Sequence, residues 1–166
     1  MLKILALACF FAAAALLWQR TAPLRLSFTS PPSNQAISTT SSAPVVISLS
    51  ELNLGLPVFP GEIKANRWPV TSKGVIYLSS SSSSNTIIYG HNWPNILGHL
   101  KDAQVGQEII VRYQSDQVRN FKISHIKIVG PNATEILQPA TEDQLTLYTC
   151  TGFLDSKRLV VVAKPV

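Results

Sequence analysis

The chain has 166 residues, 46% of them hydrophobic, with a formal net charge of +5 and two cysteines. The length suits one domain with a core of its own, and two cysteines so placed, Cys9 in an apolar leader and Cys150 far beyond it, exclude a disulfide-stapled scaffold. Nor does the basic excess point to nucleic acid: Lys3, Arg20 and Arg25 precede residue 45 with no acid among them, setting those three aside lowers +5 to +2, and no basic stripe interleaved with aromatics remains.

Behind Lys3, residues 4–18 form an unbroken apolar run of 15. That is short for a spanning helix, which needs about 17–25 residues, and at the upper end of a signal-peptide core of about 7–15. No small-x-small cleavage pattern follows Trp18, and Trp18 itself suits a membrane interface, so residues 1–25 read as an uncleaved signal anchor that is helical and carries an exported C-terminal part. Residues 26–44 are rich in Ser, Thr and Pro and too poor in large apolar side chains to fold, which makes them a tether. The remaining 45–166 form the folded domain, leaving Cys9 and Cys150 at different depths or sides of a membrane and Cys150 a free thiol.

From residue 45 onward, short apolar or β-branched runs alternate with turn residues. The pattern predicts strands over 45–49, 67–70, 75–78, 86–91, 108–113, 121–129, 145–150 and 158–164, with a helical turn over 94–102. Eight strands with hardly any helix predict an all-β fold, a closed eight-stranded barrel, because closure removes exposed edges. The serine run at 79–84 reads as a surface loop.

Alternation along 145–150 puts Thr146, Tyr148 and Cys150 on one strand face and Leu145, Leu147 and Thr149 on the other. Gly152, Asp155 and Ser156 then mark a turn, and Arg158 heads a nearly unbroken β-branched run of the kind that is buried on both faces. Paired strands lie about 4.8 Å apart, so Arg158 reaches the space above the Cys150 sulfur. Of the three histidines, His91 ends a predicted strand beside Gly90 with the turn Asn92-Trp93-Pro94 just after it, a place where loops gather. His99, near the helical turn, and His125, in mid-strand, read as solvated or hydrogen-bonded side chains.

These residue types make a coherent chemistry. A thiol of ordinary pKa, about 8.5, is only a few per cent ionised at neutral pH and needs a neighbouring base, which His91 supplies. Attack on an amide carbonyl builds an oxyanion that a guanidinium such as Arg158 stabilises, and the departing amine takes its proton from the imidazolium.

In order and spacing, Ile88-Tyr89-Gly90-His91-Asn92, the segment 100–111, Thr146-Leu147-Tyr148-Thr149-Cys150 and Arg158-Leu159-Val160-Val161 resemble the bacterial sortases, with the likeness extending over residues 65–163. The resemblance implies a sortase-like β-barrel that acts as a cysteine transpeptidase, held by its N-terminal helix in the bacterial cell membrane with the catalytic domain on the extracytoplasmic side. It implies a Leu-Pro-x-Thr-Gly-like sorting signal on an exported protein, cleaved between Thr and Gly through a thioester. The acyl group would then pass to an amine, either of a cell-wall precursor or of a lysine on another protein. By position, Cys150 is similar to the family nucleophile, His91 to its acid/base histidine and Arg158 to its substrate-orienting arginine. Thr149 matches a position associated with substrate contact, and residues 130–143 would be the specificity loop.

Strand parity groups Tyr89 with His91 as it groups Tyr148 with Cys150, so both tyrosines are expected to line the groove for the signal; packing against the barrel wall is the other reading. The chain also departs from the family pattern, with a serine run where members often carry a Gly-rich turn. No acidic cluster supports calcium and no ligand spacing supports zinc, so no metal or cofactor is expected. Without an aromatic or acidic lid before the barrel or an apolar anchor after Val166, a pilus-assembling member is not expected. Two readings from other classes stand beside this one. One is an envelope cysteine peptidase without transfer, although no Ser-His-Gly-Cys segment is present. The other is a non-catalytic anchored barrel that binds peptides, with Cys150 merely a buried small residue.

Overall fold

The computed structural model describes residues 43–64, 68–79, 81–82, 84–133 and 135–166. The expected anchor at 1–25 and nearly all of the tether at 26–44 lie outside the described residues, and among those described no helix is long and apolar enough to cross a membrane.

Eight strands form one closed barrel: β1 (Pro44–Leu49), β2 (Leu54–Gly61), β3 (Val75–Leu78), β4 (Asn85–Gly90), β5 (Glu108–Tyr113), β6 (Val118–Val129), β7 (Gln144–Thr151) and β8 (Lys157–Pro165). Their spatial order is β1-β2-β3-β4-β7-β8-β6-β5, with β5 pairing back onto β1. The β2–β3 and β4–β7 pairs are parallel and the others antiparallel, so the sheet is mixed.

Seven of the eight expected strands are present within a few residues of their expected bounds, but the barrel's remaining strand is not the one expected. Residues 68–70 are irregular, whereas Leu54–Gly61 is a strand. Its two prolines and two glycines read as turn formers, yet Leu54, Leu56 and Val58 are buried in strict alternation with exposed Gly55, Pro57 and Phe59. The period of burial outweighed the local preference for turns. The segment expected as a helical turn at 94–102 is a turn followed by a 3₁₀ helix, Gly98–Asp102.

Inside the barrel, Ile47, Ile88, Val111, Phe121, Leu147 and Val161 belong to one apolar cluster, to which Ile96, Leu97 and Leu100 from the segment after β4 add their side chains. A second cluster lies on the outer face of β3, β4, β7 and β8. There Ile87, Tyr89, Tyr148, Val160 and Val162 are covered by Trp68 from the β2–β3 connection and by Ile136 from the β6–β7 connection. Strands walled on both sides bury successive residues, which explains the unbroken runs of buried positions in β4, β7 and β8.

The β6–β7 connection is pinned from inside. Asn85, fully buried at the start of β4, donates from Nδ2 to the carbonyls of Ile136 (3.0 Å) and Gln138 (2.9 Å), and its Oδ1 accepts from the Thr146 hydroxyl at 2.7 Å. Arg119 on β6 pairs with Asp143 at the far end of the same connection.

Candidate active site

The ends of three neighbouring strands carry the three residues expected to do the chemistry. In the parallel pair, Gly90 of β4 is in register with Thr149 of β7, so the next residues along, His91 and Cys150, come side by side. In the antiparallel pair, Cys150 is the direct partner of Arg158 on β8. Cys150, His91 and Arg158 therefore occupy adjacent positions in the backbone register at one edge of the barrel, and Cys150 is a free cysteine.

Local contacts hold the arrangement. The Thr149 hydroxyl donates to the Gly90 carbonyl at 2.9 Å and ties the end of β4 to β7. Arg158, only 4% exposed, donates from Nη1 to the carbonyls of Asp155 (2.7 Å) and Lys157 (2.8 Å), which anchors one arm of the guanidinium. The connection between β7 and β8 makes this possible by turning through positive φ at Gly152 (80°), Leu154 (51°) and Asp155 (58°). Left-handed Leu and Asp are uncommon, and such strain persists where surrounding contacts fix it. Phe153 and Leu154 stand out from the same connection, with Phe153 83% exposed.

Electrostatics sets both titrating groups in their uncharged forms at rest. Burial pushes the Cys150 thiol above its ordinary range, the Arg158 charge opposing and Asp155 reinforcing the shift. Burial likewise holds the His91 imidazole below its ordinary range, with the Asp155 carboxylate pulling the other way. The neutral thiol and imidazole dominate near neutral pH, and the reactive thiolate–imidazolium pair is a minor form drawn on during reaction.

Tyr89 and Tyr148 keep the outer face that strand parity assigns them and are in register with each other. Each is only 2% exposed, beneath Trp68, whose ring meets Tyr89 edge-on at 4.8 Å and stacks on Tyr148 at 6.1 Å. The Tyr89 hydroxyl donates to the Pro69 carbonyl at 2.8 Å. Burial raises both phenols, and at Tyr148 the neighbouring Arg158 charge opposes the effect. The tyrosines thus support the wall beneath the site, and a peptide would meet them only with Trp68 displaced. Thr149 is also buried, its hydroxyl engaged by Gly90. His99 and His125 are exposed, His99 lying 3.9 Å from Asp102 and His125 sharing a hydrogen bond with Ser124.

Trp93, Trp68 and Asn85 do not stand out in the sequence. Trp93 was visible only as part of a turn, although an aromatic two residues after a strand-end histidine is a signal worth weighing. Trp68 and Asn85 gave no local sign, since both act across long sequence separations. Among the described residues no group of three His, Cys, Asp or Glu side chains is placed to hold a metal ion.

The closed mixed barrel thus carries Cys150 on β7, its partner Arg158 on β8 and His91 just past the end of β4. The sortase-domain family model matches residues 47–166, and the chain belongs to the sortase family. Among solved structures it is similar to Streptococcus agalactiae sortase C1 in its complex with MTSET, at 23% identity and TM-score 0.63, with 73% of this chain and 66% of that chain covered. It is also similar to Corynebacterium diphtheriae sortase A, at 24% identity and TM-score 0.61, covering 78% and 63%. A third is Clostridium perfringens sortase C with a C-terminal cell wall sorting motif, at 19% identity and TM-score 0.61, covering 76% and 72%. At these identities the likeness is one of fold, and this chain spans just under two thirds of the length of the first two. No curated protein matches the chain.

Proposed function

We propose that this chain is a sortase-type cysteine transpeptidase that cleaves a Leu-Pro-x-Thr-Gly-like sorting signal between Thr and Gly and transfers the new carboxyl end to an amine. The observation that carries this reading is the register itself: Cys150 is paired directly with Arg158 and lies beside His91 at the end of the adjacent parallel strand. Family membership supports the same chemistry.

In the proposed reaction His91 takes the Cys150 proton, and the sulfur attacks the Thr carbonyl carbon to give a tetrahedral oxyanion. Arg158, held by two backbone carbonyls, stabilises that negative oxygen. Collapse breaks the C–N bond; the leaving amine of Gly takes its proton from the imidazolium and a thioester remains. The acceptor amine then attacks the thioester, His91 removes its proton, and a second oxyanion collapses to release the thiolate. Excluding water until an amine arrives is what separates transfer from hydrolysis.

The signal is the part of the reading that rests on family analogy. That a C-terminal cell wall sorting motif accompanies the Clostridium perfringens relative supports a peptide of this kind. The loop 130–143, pinned by Asn85, borders the same outer face as Cys150 and suits the recognition of the residues before the scissile bond. The apolar leader supports attachment to the cell membrane through residues 1–25, and its signal-like start supports a barrel on the extracytoplasmic side acting on exported proteins.

The test is incubation of the chain with a library of such peptides and a glycine-based amine, read by mass spectrometry beside Cys150→Ala. A thioester adduct and an amine-transfer product, both absent in the variant, support the reading. Peptide cleavage that ignores the amine replaces it with a peptidase, and no adduct with any peptide removes it.

A further inference from the structure

One aromatic contact at the site has no part in the proposed reaction. Trp93 lies flat against His91, with ring centroids 4.2 Å apart and planes within 5° of parallel. The indole is 44% exposed, so burial of apolar surface does not by itself account for its position. The backbone instead holds it there. His91 accepts at its carbonyl from the Leu97 N–H (3.1 Å), and the Trp93 carbonyl accepts from the N–H groups of Ile96 (2.9 Å) and Gly98 (2.8 Å).

The turn is therefore closed at both aromatic residues, and it is anchored by Ile96 and Leu97, which are fully buried in the barrel cluster. At Gly98 the chain passes so near that an added Cβ would lie 2.7 Å from the Trp93 carbonyl carbon and oxygen. Real Cβ atoms do not come so close to backbone, so the glycine is what permits the turn.

We infer that Trp93 is a positioning residue for His91: its indole fixes the plane of the imidazole beside Cys150 and stabilises the imidazolium formed when the thiol gives up its proton. The inference rests on the transpeptidase reading above. The indole face carries negative quadrupolar potential and attracts a cation held over it within about 6 Å, so the stack favours the charged ring over the neutral one. Cys150 on β7 and Arg158 at the head of β8 lie next to His91 in backbone register, and Asp155 on the connection between them acts on the imidazole ring through its charge. Asp155 favours the imidazolium, against the burial that disfavours it. In the segment after β4, His99 and Asp102 are exposed and placed to pair with each other. A face-on indole thus adds to a small set of influences that favour the charged ring.

Alkylation of Cys150 by iodoacetamide, followed against pH on the full chain in detergent micelles, tests this without any peptide substrate. Trp93→Leu is expected to lower the alkylation rate at neutral pH about five- to tenfold and to move its histidine-dependent limb to lower pH, while Trp93→Phe restores most of the rate. Tryptophan fluorescence of the unmodified chain is expected to show a pH transition that disappears in His91→Gln and in Trp93→Phe. That readout stands even if Trp93→Leu fails to fold, because it requires the stack in the native chain.

A folded Trp93→Leu with unchanged alkylation rate and pH profile overturns the inference, as does a native chain whose fluorescence shows no histidine-linked transition. The proposed function falls separately. Peptide transfer absent from the native chain removes that reading, whereas transfer present and equal in Trp93→Leu removes only the role of Trp93.

Discussion

The Thr149 hydroxyl donates to the carbonyl of Gly90 at 2.9 Å, so the residue before the thiol is bonded to the residue before the imidazole. Parallel strands joined this way hold His91 and Cys150 in register where β4 has already ended. Thr149→Val keeps the shape and β-branching but removes the donor. The expected cost is about 1 kcal/mol of stability and a loss in turnover on the order of tenfold, since small displacements of reacting groups are expensive. Thr149→Ser restores both, and paired thermal melts and peptide-transfer rates check the outcome.

Arg158 meets both carbonyls through the single nitrogen Nη1, at one end of a planar, delocalised group that the compact ammonium of Lys does not reproduce, so Lys is not an equivalent replacement. Arg158→Lys is expected to lower kcat for peptide transfer by about 10²–10³, the range for loss of one oxyanion donor. Cys150 is expected to remain alkylatable, more slowly, because the charge opposing its raised pKa is displaced. Loss of transfer together with loss of folding would instead assign Arg158 a purely structural role.

The two burial-driven shifts have opposite consequences for stability against pH. His91 has a lowered folded pKa, so the unfolded chain binds the extra proton first and stability drops as pH falls through the ordinary imidazole value of about 6.5. Cys150 has a raised folded pKa, so the unfolded chain loses its proton first and stability drops as pH rises through the ordinary thiol value of about 8.5. Denaturant midpoints across pH are expected to lose their acid-side slope in His91→Gln and their alkaline slope in Cys150→Ser.

Asn85 tests whether the β6–β7 connection is held from within. Asn85→Leu strands the carbonyls of Ile136 and Gln138 and the Thr146 hydroxyl without their partner. Each buried group left unpaired costs about 1–3 kcal/mol, so a loss of about 3 kcal/mol in total is expected if the loop relaxes partly toward water. Hydrogen exchange is expected to speed up across 130–143 and little elsewhere, and KM for peptide to rise more than kcat falls.

Much of this architecture can be read in the chain because it depends on period and order. Alternation along 145–150 assigns Tyr148 and Cys150 to one face, the turn residues after it predict the hairpin, and the β-branched run from Arg158 predicts a doubly buried strand; all three hold in the fold. Leu54–Gly61 was hidden because its prolines and glycines speak for turns, and only pairing with β1 and β3 makes their positions acceptable in a strand.

What the sequence determined by itself is the barrel class and the choice of Cys150, His91 and Arg158 as candidates, since local alternation and motif spacing do not depend on distant partners. Tertiary structure alone decided what each expected side chain faces. It covered Tyr89 and Tyr148 with Trp68, joined Thr149 to Gly90, pinned the loop 130–143 through Asn85 and laid Trp93 on His91. Most of these contacts join residues far apart in the chain, and the Trp93 stack depends on a turn that closes only because Ile96 and Leu97 are buried in the barrel. Burial and long-range hydrogen bonding belong to the closed barrel, and no short stretch of sequence encodes them.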